Sequence, residues 1–361
     1  MDSSVVIYSY LLLLTASFAL VFCFKPYNEL LHLTEDILYA PYIENPMPEL
    51  EITKKDSGPI IRRLNLKNAD LSHRWINGVS LKYADMSFSN LYKAEFYTPK
   101  KYSINMIGAD LTGANLKSSI FFNVRLSYGN LNYSVISEVT LERVMLMKAQ
   151  MIQVIAKNAT FKTVDMEGVY LFLTDFNDSS FSSCRFNHSI MDRTKFINST
   201  FYRCGFNGTN GEYSFFTNSK LKVVTFEPNS EMDKKGNWVD RKSNLLWANF
   251  DNAILNDVKF NEACIVSSSF KGACMTNVGF KNSDLSDADF SNATIEDVDF
   301  SNATFNSDTI LKNATLKNVV FNGVKNIKAK ALCESKELNN IKVDVAIEVD
   351  LNNICPEKLH K

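Results

Sequence analysis

Gly108-Ala109-Asp110-Leu111-Thr112-Gly113-Ala114-Asn115-Leu116-Lys117 repeats its own pattern after five residues. A large apolar residue, Leu111 or Leu116, follows a small one, Ala109 or Ala114, by two places. The beat runs back through Met106, Phe96, Leu91, Met86, Leu81, Ile76 and Leu71 to Leu66. Forward it passes Phe121, Leu126, Leu131, Ile136, Leu141 and Leu146, then Phe176, Phe181, Phe186, Met191, Phe196, Phe201 and Phe206. Ala69, Ala84, Ala94, Val124, Val139, Ala149, Ser179, Cys184 and Cys204 occupy the small place two residues earlier.

A period of 3.6 would mark an amphipathic helix and a period of 2 a half-buried strand; five fits neither. Five residues cannot bury a face alone, so each unit must stack on copies of itself. The order small, polar, large, polar, polar suits a chain that turns a corner at every unit, with the small and large residues inward. After Phe226 the phase slips once. It resumes at Leu245 and runs through Phe250, Leu255, Phe260, Ile265, Phe270, Met275, Phe280, Leu285, Phe290, Ile295, Phe300 and Phe305 to Ile310, with one extra residue before Leu316 and Phe321.

Ala69-Asp70-Leu71, Ala109-Asp110-Leu111, Ala114-Asn115-Leu116 and Ala288-Asp289-Phe290 resemble pentapeptide repeats of the A-(D/N)-L-x-x type. The resemblance implies an all-β solenoid, a right-handed quadrilateral β-helix with four five-residue sides per coil. Roughly 12 coils at about 4.7–4.9 Å each make a rod about 60 Å long. Proximal repeats are expected over 61–226 and distal ones over 245–324, with an inserted loop at 227–244. Residues 325–361 read as a helical cap over the open edge of the last coil, which would otherwise invite strand pairing with another chain. Leu332-Cys333 and Cys355-Pro356 resemble the tail of some bacterial members of this family.

Residues 1–24 contain an uncharged run, Val5 to Phe24, long enough to cross a bilayer as a helix. A cleaved signal segment is the rival reading; Asp2 and the lack of Lys or Arg ahead of the run speak for an uncleaved, single-pass anchor. Residues 25–60 then form a juxtamembrane linker, with a short amphipathic helix over Tyr27–Tyr39 stopped by Pro41. The repeat domain is placed outside the cytoplasm. Cys333 and Cys355 can bridge the cap if it is exported, whereas Cys184 and Cys204 fall at inward places as core thiols.

The net charge is −1, but it is unevenly spread. Ile61–Phe226 carries about 20 basic and 12 acidic residues, and Leu245–Ile310 about 3 and 10. Asp284, Asp287, Asp289, Glu296, Asp297 and Asp299 crowd two distal coils. Some proteins of the resembled family are thought to mimic duplex DNA and occupy topoisomerases, and stacked carboxylates would be the physical basis. The plainer reading is that Asp fills a polar place where it satisfies corner N–H groups. The Asn-x-Ser/Thr sequons, such as Asn292-Ala293-Thr294, arise from the lattice in the same way.

Three stretches break the beat: Tyr97–Ser103, Asn207–Ser214 with Gly211 at an inward place, and Glu227–Asn244. The last carries Lys234, Lys235, Trp238 and Arg241, a composition that suits contact with a partner protein. No paired Cys spacing, nucleophile elbow or phosphate loop is present, and His32, His73, His188 and His360 are scattered, with His188 expected on the surface. The sequence therefore reads as a non-enzymatic scaffold or interaction rod. Its expected partners are the membrane, through residues 5–24, and a protein. No cofactor, metal, small-molecule substrate or direct nucleic-acid contact is expected.

Overall fold

The computed structural model describes residues 64–76, 80–97, 103–232 and 235–358, all within one compact unit, Arg62–Lys361. The anchor segment 1–24, the linker 25–60 and Lys234 lie outside the described residues. Among the described residues no helix is long and apolar enough to cross a membrane.

The chain winds as a four-sided coil in which each side stacks in parallel on the same side of the next coil. A first face is the ladder Asn65–Asp85–Asp110–Asn130 and onward to Lys325; a second runs from Asp70 through Asn90 to Ile310. A third is a 13-stranded parallel sheet from Trp75–Ile76 to Glu337–Asn339. A fourth runs from Ser80 through Asn105 to Lys342. The sheet has thirteen rungs against the roughly 12 coils expected from the beat, the last of them supplied by the cap at Glu337–Asn339.

Many units repeat one set of bonds. Leu111 N–H donates to Asn130 O in the next coil at 2.6 Å, Gly113 N–H to Asn132 O at 2.9 Å, and Ala114 N–H closes the corner on Leu111 O at 3.0 Å. The residue two places after most beats takes positive φ, as at Asn158, Asn198 and Asn292. Asn tolerates this region, which is why it recurs there.

The interior is filled. Two files of stacked phenylalanines run along the rod, Phe176–Phe196–Phe216–Phe250–Phe270–Phe290 and Phe186–Phe206–Phe226–Phe260–Phe280–Phe300, with centroids 4.5–5.3 Å apart within a file. The files meet edge to face, as Phe270 does Phe280 at 5.8 Å, the arrangement the ring quadrupole favours. Near the leucine-rich coils a gap lined by Leu116, Leu131, Leu146 and Met151 measures about 10 Å³, the space of at most one water.

The breaks in the beat resolve by register. Ser80 lies against Asn105 and Asn90 against Asn115, 25 residues on rather than 20. The Tyr97–Ser103 stretch thus adds one whole unit and leaves the phase untouched. Asn210 lies against Asn244, 34 on, and the 14 added residues shift the phase by one. The stretch 207–214 stays in the lattice, because Met191 and Leu245 fill the space at Gly211: a Cβ there would sit 2.7 Å from Met191 Cε. Near the distal end the expected beat at Ile310 is corrected. The extra residue lies in the Asn306–Thr309 turn, so Ile310 is on the surface and Leu311 points inward at 1% exposure.

The cap is also more than helical. Helix α1 (Ala329–Cys333) and helix α2 (Val345–Ile354) are joined by Glu337–Asn339 and Lys342–Val343, which pair in parallel with Thr315–Lys317 and Val320–Phe321. The last coil presents a row of backbone donors and acceptors, and a strand satisfies them where a helix does not.

Candidate functional site

The long interruption is an ordered β-hairpin rather than a loop. Asn229–Met232 pairs antiparallel with Trp238–Arg241, Met232 opposite Trp238. It is narrower than the sequence suggested. Ser243 is fully buried and donates to Phe206 O at 3.0 Å, and Asn244 is a rung of the first face.

The hairpin's far end is apolar and exposed: Trp238 at 70%, with Met232 and Val239 also open. Lys235 sits beside Gly236 at the turn, and Gly236 has positive φ. Arg241 pairs with Glu231 across the hairpin.

The near end closes over His188. Asn229 Nδ2 lies 2.9 Å from His188 Nε2, and Glu231 Oε2 lies 3.6 Å from His188 Nδ1. The His188 side chain is only 11% exposed, which corrects its expected place on the surface. Gly208 makes room for this closure: a Cβ there would meet His188 Nδ1 at 3.1 Å and Arg241 O at 3.2 Å.

The distal carboxylates do not form one patch. Asp284 is a rung of the first face, Asp289 of the second, Glu296 of the third and Asp299 of the fourth, while Asp287 and Asp297 sit at corners. Asp284, Asp289 and Asp299 each accept the N–H two residues on, at 3.1, 2.8 and 2.9 Å. Lys271 pairs with Asp289 and Lys281 with Asp299. Burial raises the Asp289 and Asp299 carboxyls, but the hydroxyls and N–H groups of Ser291 and Ser301 and the two lysines outweigh it and leave both below the usual range.

One cluster escaped sequence reasoning. At the corner after the first face Asp192 and Glu212 stack in adjacent coils. Asp192 Oδ1 accepts Glu212 N–H at 3.1 Å, Asp192 Oδ2 accepts an Asn210 amide hydrogen at 3.2 Å, and Glu212 Oε1 accepts one from Asn244 at 2.8 Å. Burial and then the Glu212 charge push Asp192 up to about 7. At the same corner Arg193 lies over the Tyr213 ring at 5.5 Å, and Tyr213 stacks on Trp247 at 4.7 Å. The available signal was a 20-residue spacing between acidic residues at the place just after the beat.

Cys333 and Cys355 are joined by a disulfide that ties α1 to the end of α2, with Cα atoms 5.9 Å apart. Cys184 and Cys204 are buried, Cys264 is half-buried and Cys274 exposed. Burial holds the Cys184 thiol well above the usual thiol range. Among the described residues no group of His, Cys, Asp or Glu is placed to hold a metal ion.

Residues 241–315 match the family model described as pentapeptide repeats (9 copies). The chain carries pentapeptide repeats. Among solved structures this pentapeptide-repeat chain is similar to HetL, a pentapeptide repeat protein involved in heterocyst differentiation regulation from the cyanobacterium Nostoc. Identity is 14%, coverage 71% of this chain and 90% of that one, and the TM-score 0.39. It is also similar to QnrB1, a plasmid-mediated fluoroquinolone resistance protein, at 14% identity, 68% and 91% coverage and a TM-score of 0.22. A pentapeptide repeat protein of the Arabidopsis thaliana thylakoid lumen is 21% identical over 30% of this chain and 63% of that one, with a TM-score of 0.19. Likeness at this level carries no argument about function. No curated protein matches by sequence.

Proposed function

We propose that this chain is a non-enzymatic protein-interaction rod, tethered to a membrane through residues 5–24, with its repeats on the extracytoplasmic side. The observation that carries the reading is the hairpin. It holds Trp238 at 70% exposure on an ordered support anchored at His188. A rigidly presented exposed Trp is costly to keep in water and is a common anchor of protein interfaces. The filled interior supports a role without chemistry, since Phe and Leu stand where a substrate would need room. The Cys333–Cys355 bond supports an oxidising compartment.

The alternative expected from the acidic coils, a DNA mimic, is favoured less, because Asp289 and Asp299 already serve turns and lysines. The test is quantitative cross-linking in cells with the wild type, Trp238→Ala and a variant in which a Gly-Gly turn replaces the hairpin. The expected result is loss of the same cross-linked partners in both variants with circular dichroism unchanged. An unchanged partner set would remove the hairpin from the function.

A further inference from the structure

Beside the first face a stretch of apolar surface is interrupted by two carboxylates. Tyr170 and Ile190 are rungs of the first face, and Ile152, Phe172, Asp192, Glu212, Leu246 and Val266 follow one another in successive coils at its corner toward the second face. Ile190 is 37% exposed and the others are half-buried, so together they make an apolar strip. The two carboxylates sit at its centre, in adjacent coils, and accept hydrogen bonds from the Asn210 and Asn244 amides and the Glu212 N–H.

We propose that this strip is a docking surface for one extended segment of a partner protein, with a single arginine set over Asp192 and Glu212 and apolar side chains on either side. The proposal rests on reading the chain as an interaction rod and adds a second surface to the hairpin.

Size and spacing choose the occupant. Five coil steps make the strip about 24 Å long, which is the length of about seven extended residues. Its width is about 10 Å, far short of the roughly 800 Å² per partner that a stable globular interface needs. A second copy of this strip would oppose carboxylate to carboxylate. From the middle of the acidic pair to Phe172 or Leu246 is about one and a half coils, or about 7 Å, and residues i and i±2 of a strand lie about 6.7 Å apart on one face. Arginine suits the centre because its planar fork can bond two carboxylates at once.

The state of Asp192 gives the docking a pH signature. The groups facing it are Glu212, which raises it, and Arg193, which lowers it; Cys264 and Lys242 lie beyond Glu212. An incoming cation favours the ionised carboxyl, so binding at pH 7 must release a proton.

The test uses the full-length protein and a blocked heptapeptide, Ser-Leu-Ser-Arg-Ser-Leu-Ser, against the same peptide with glutamine at the centre. Titration calorimetry in two buffers of different ionisation enthalpy is expected to show at least tenfold tighter binding of the arginine peptide at pH 8. Affinity should fall at pH 5.5, and proton release should be visible at pH 7. The double variant Asp192→Asn, Glu212→Gln should lose the preference and the proton release, while Asp175→Asn on the second face keeps both. Equal binding of the two peptides, or selectivity retained in the double variant, would overturn the proposal. If that happens while cross-linking at the hairpin persists, the strip alone is wrong and the interaction-rod reading stands.

Discussion

The Asp110 carboxylate accepts the backbone N–H of Thr112 at 2.9 Å, and this one bond explains the acidic place in the repeat. Four of the five N–H groups in a unit go to the next coil, the previous coil or the corner turn, as Leu111, Gly113, Asp110 and Ala114 show. The fifth, just after the beat, has no backbone acceptor, and the side chain before the beat supplies one. Asp70 and Asp85 do the same for Ser72 and Ser87 at 3.0 Å each. Elsewhere an Asn in the previous coil serves, as Asn177 does for Ile197 at 3.0 Å.

Asp110→Ala is therefore expected to destabilise the rod by about 1–3 kcal/mol, the cost of leaving a partly buried donor unmet. Asp110→Asn should stay close to wild type, because an amide oxygen accepts the same bond. Urea denaturation of both variants checks this. Equal stability of the alanine and asparagine variants would remove the capping explanation.

How much of this was legible in the sequence follows from what a unit can encode. Leu111 and Ala109 announce the inward places because burial is periodic. The four-sided coil follows once units of that size must stack. Gly211 looked like a break, yet the coil runs through it because Met191 and Leu245, from the coils on either side, fill the space. Ile310 kept time in the sequence but not in the structure, since Ile310 and Leu311 are both apolar and only the Asn306–Thr309 turn decides which points inward. The Asp192–Glu212 pair keeps the regular 20-residue spacing, but that spacing stacks many polar residues, and only the burial of Asp192 beside the Glu212 charge sets this pair apart.

Val223 marks a place where the lattice overrides local preference. Its φ is 58°, a region that costs an L-residue roughly 1–2 kcal/mol and a β-branched one most of all. It lies exposed at a corner, so little packing is lost on replacement. Val223→Asn should raise thermal stability by the equivalent of about 1 kcal/mol, read by differential scanning calorimetry, and an unchanged or lower midpoint would count against strain at this corner.

The Cys333–Cys355 bond closes a 22-residue separation around the strand that covers the last coil. A loop of that size constrains the unfolded chain by about 3 kcal/mol. Reduction, or Cys333→Ser with Cys355→Ser, should lower the unfolding midpoint and loosen the cap first. Hydrogen exchange should quicken at Leu338 and Val343 before it does at Phe290. Uniform quickening along the rod would show that the bond serves the whole solenoid rather than its end.

Asp192 and the Asp85 type of carboxyl should respond to pH with opposite sign. The Ser87 hydroxyl and then its N–H hold Asp85 below the ordinary carboxylate range, so its contribution is present above about pH 4 and is lost as pH falls through the folded-state value. Asp192 is raised to about 7. Folding there favours the protonated form, so Asp192 weakens the fold progressively from about pH 4 to 7 and fully above 7. Asp192→Asn keeps an acceptor for the Glu212 N–H and removes the charge. It should raise the melting temperature at pH 8 by several degrees and leave it unchanged at pH 4. A shift of the same size at both values would mean that the gain comes from packing and not from the buried charge beside Glu212.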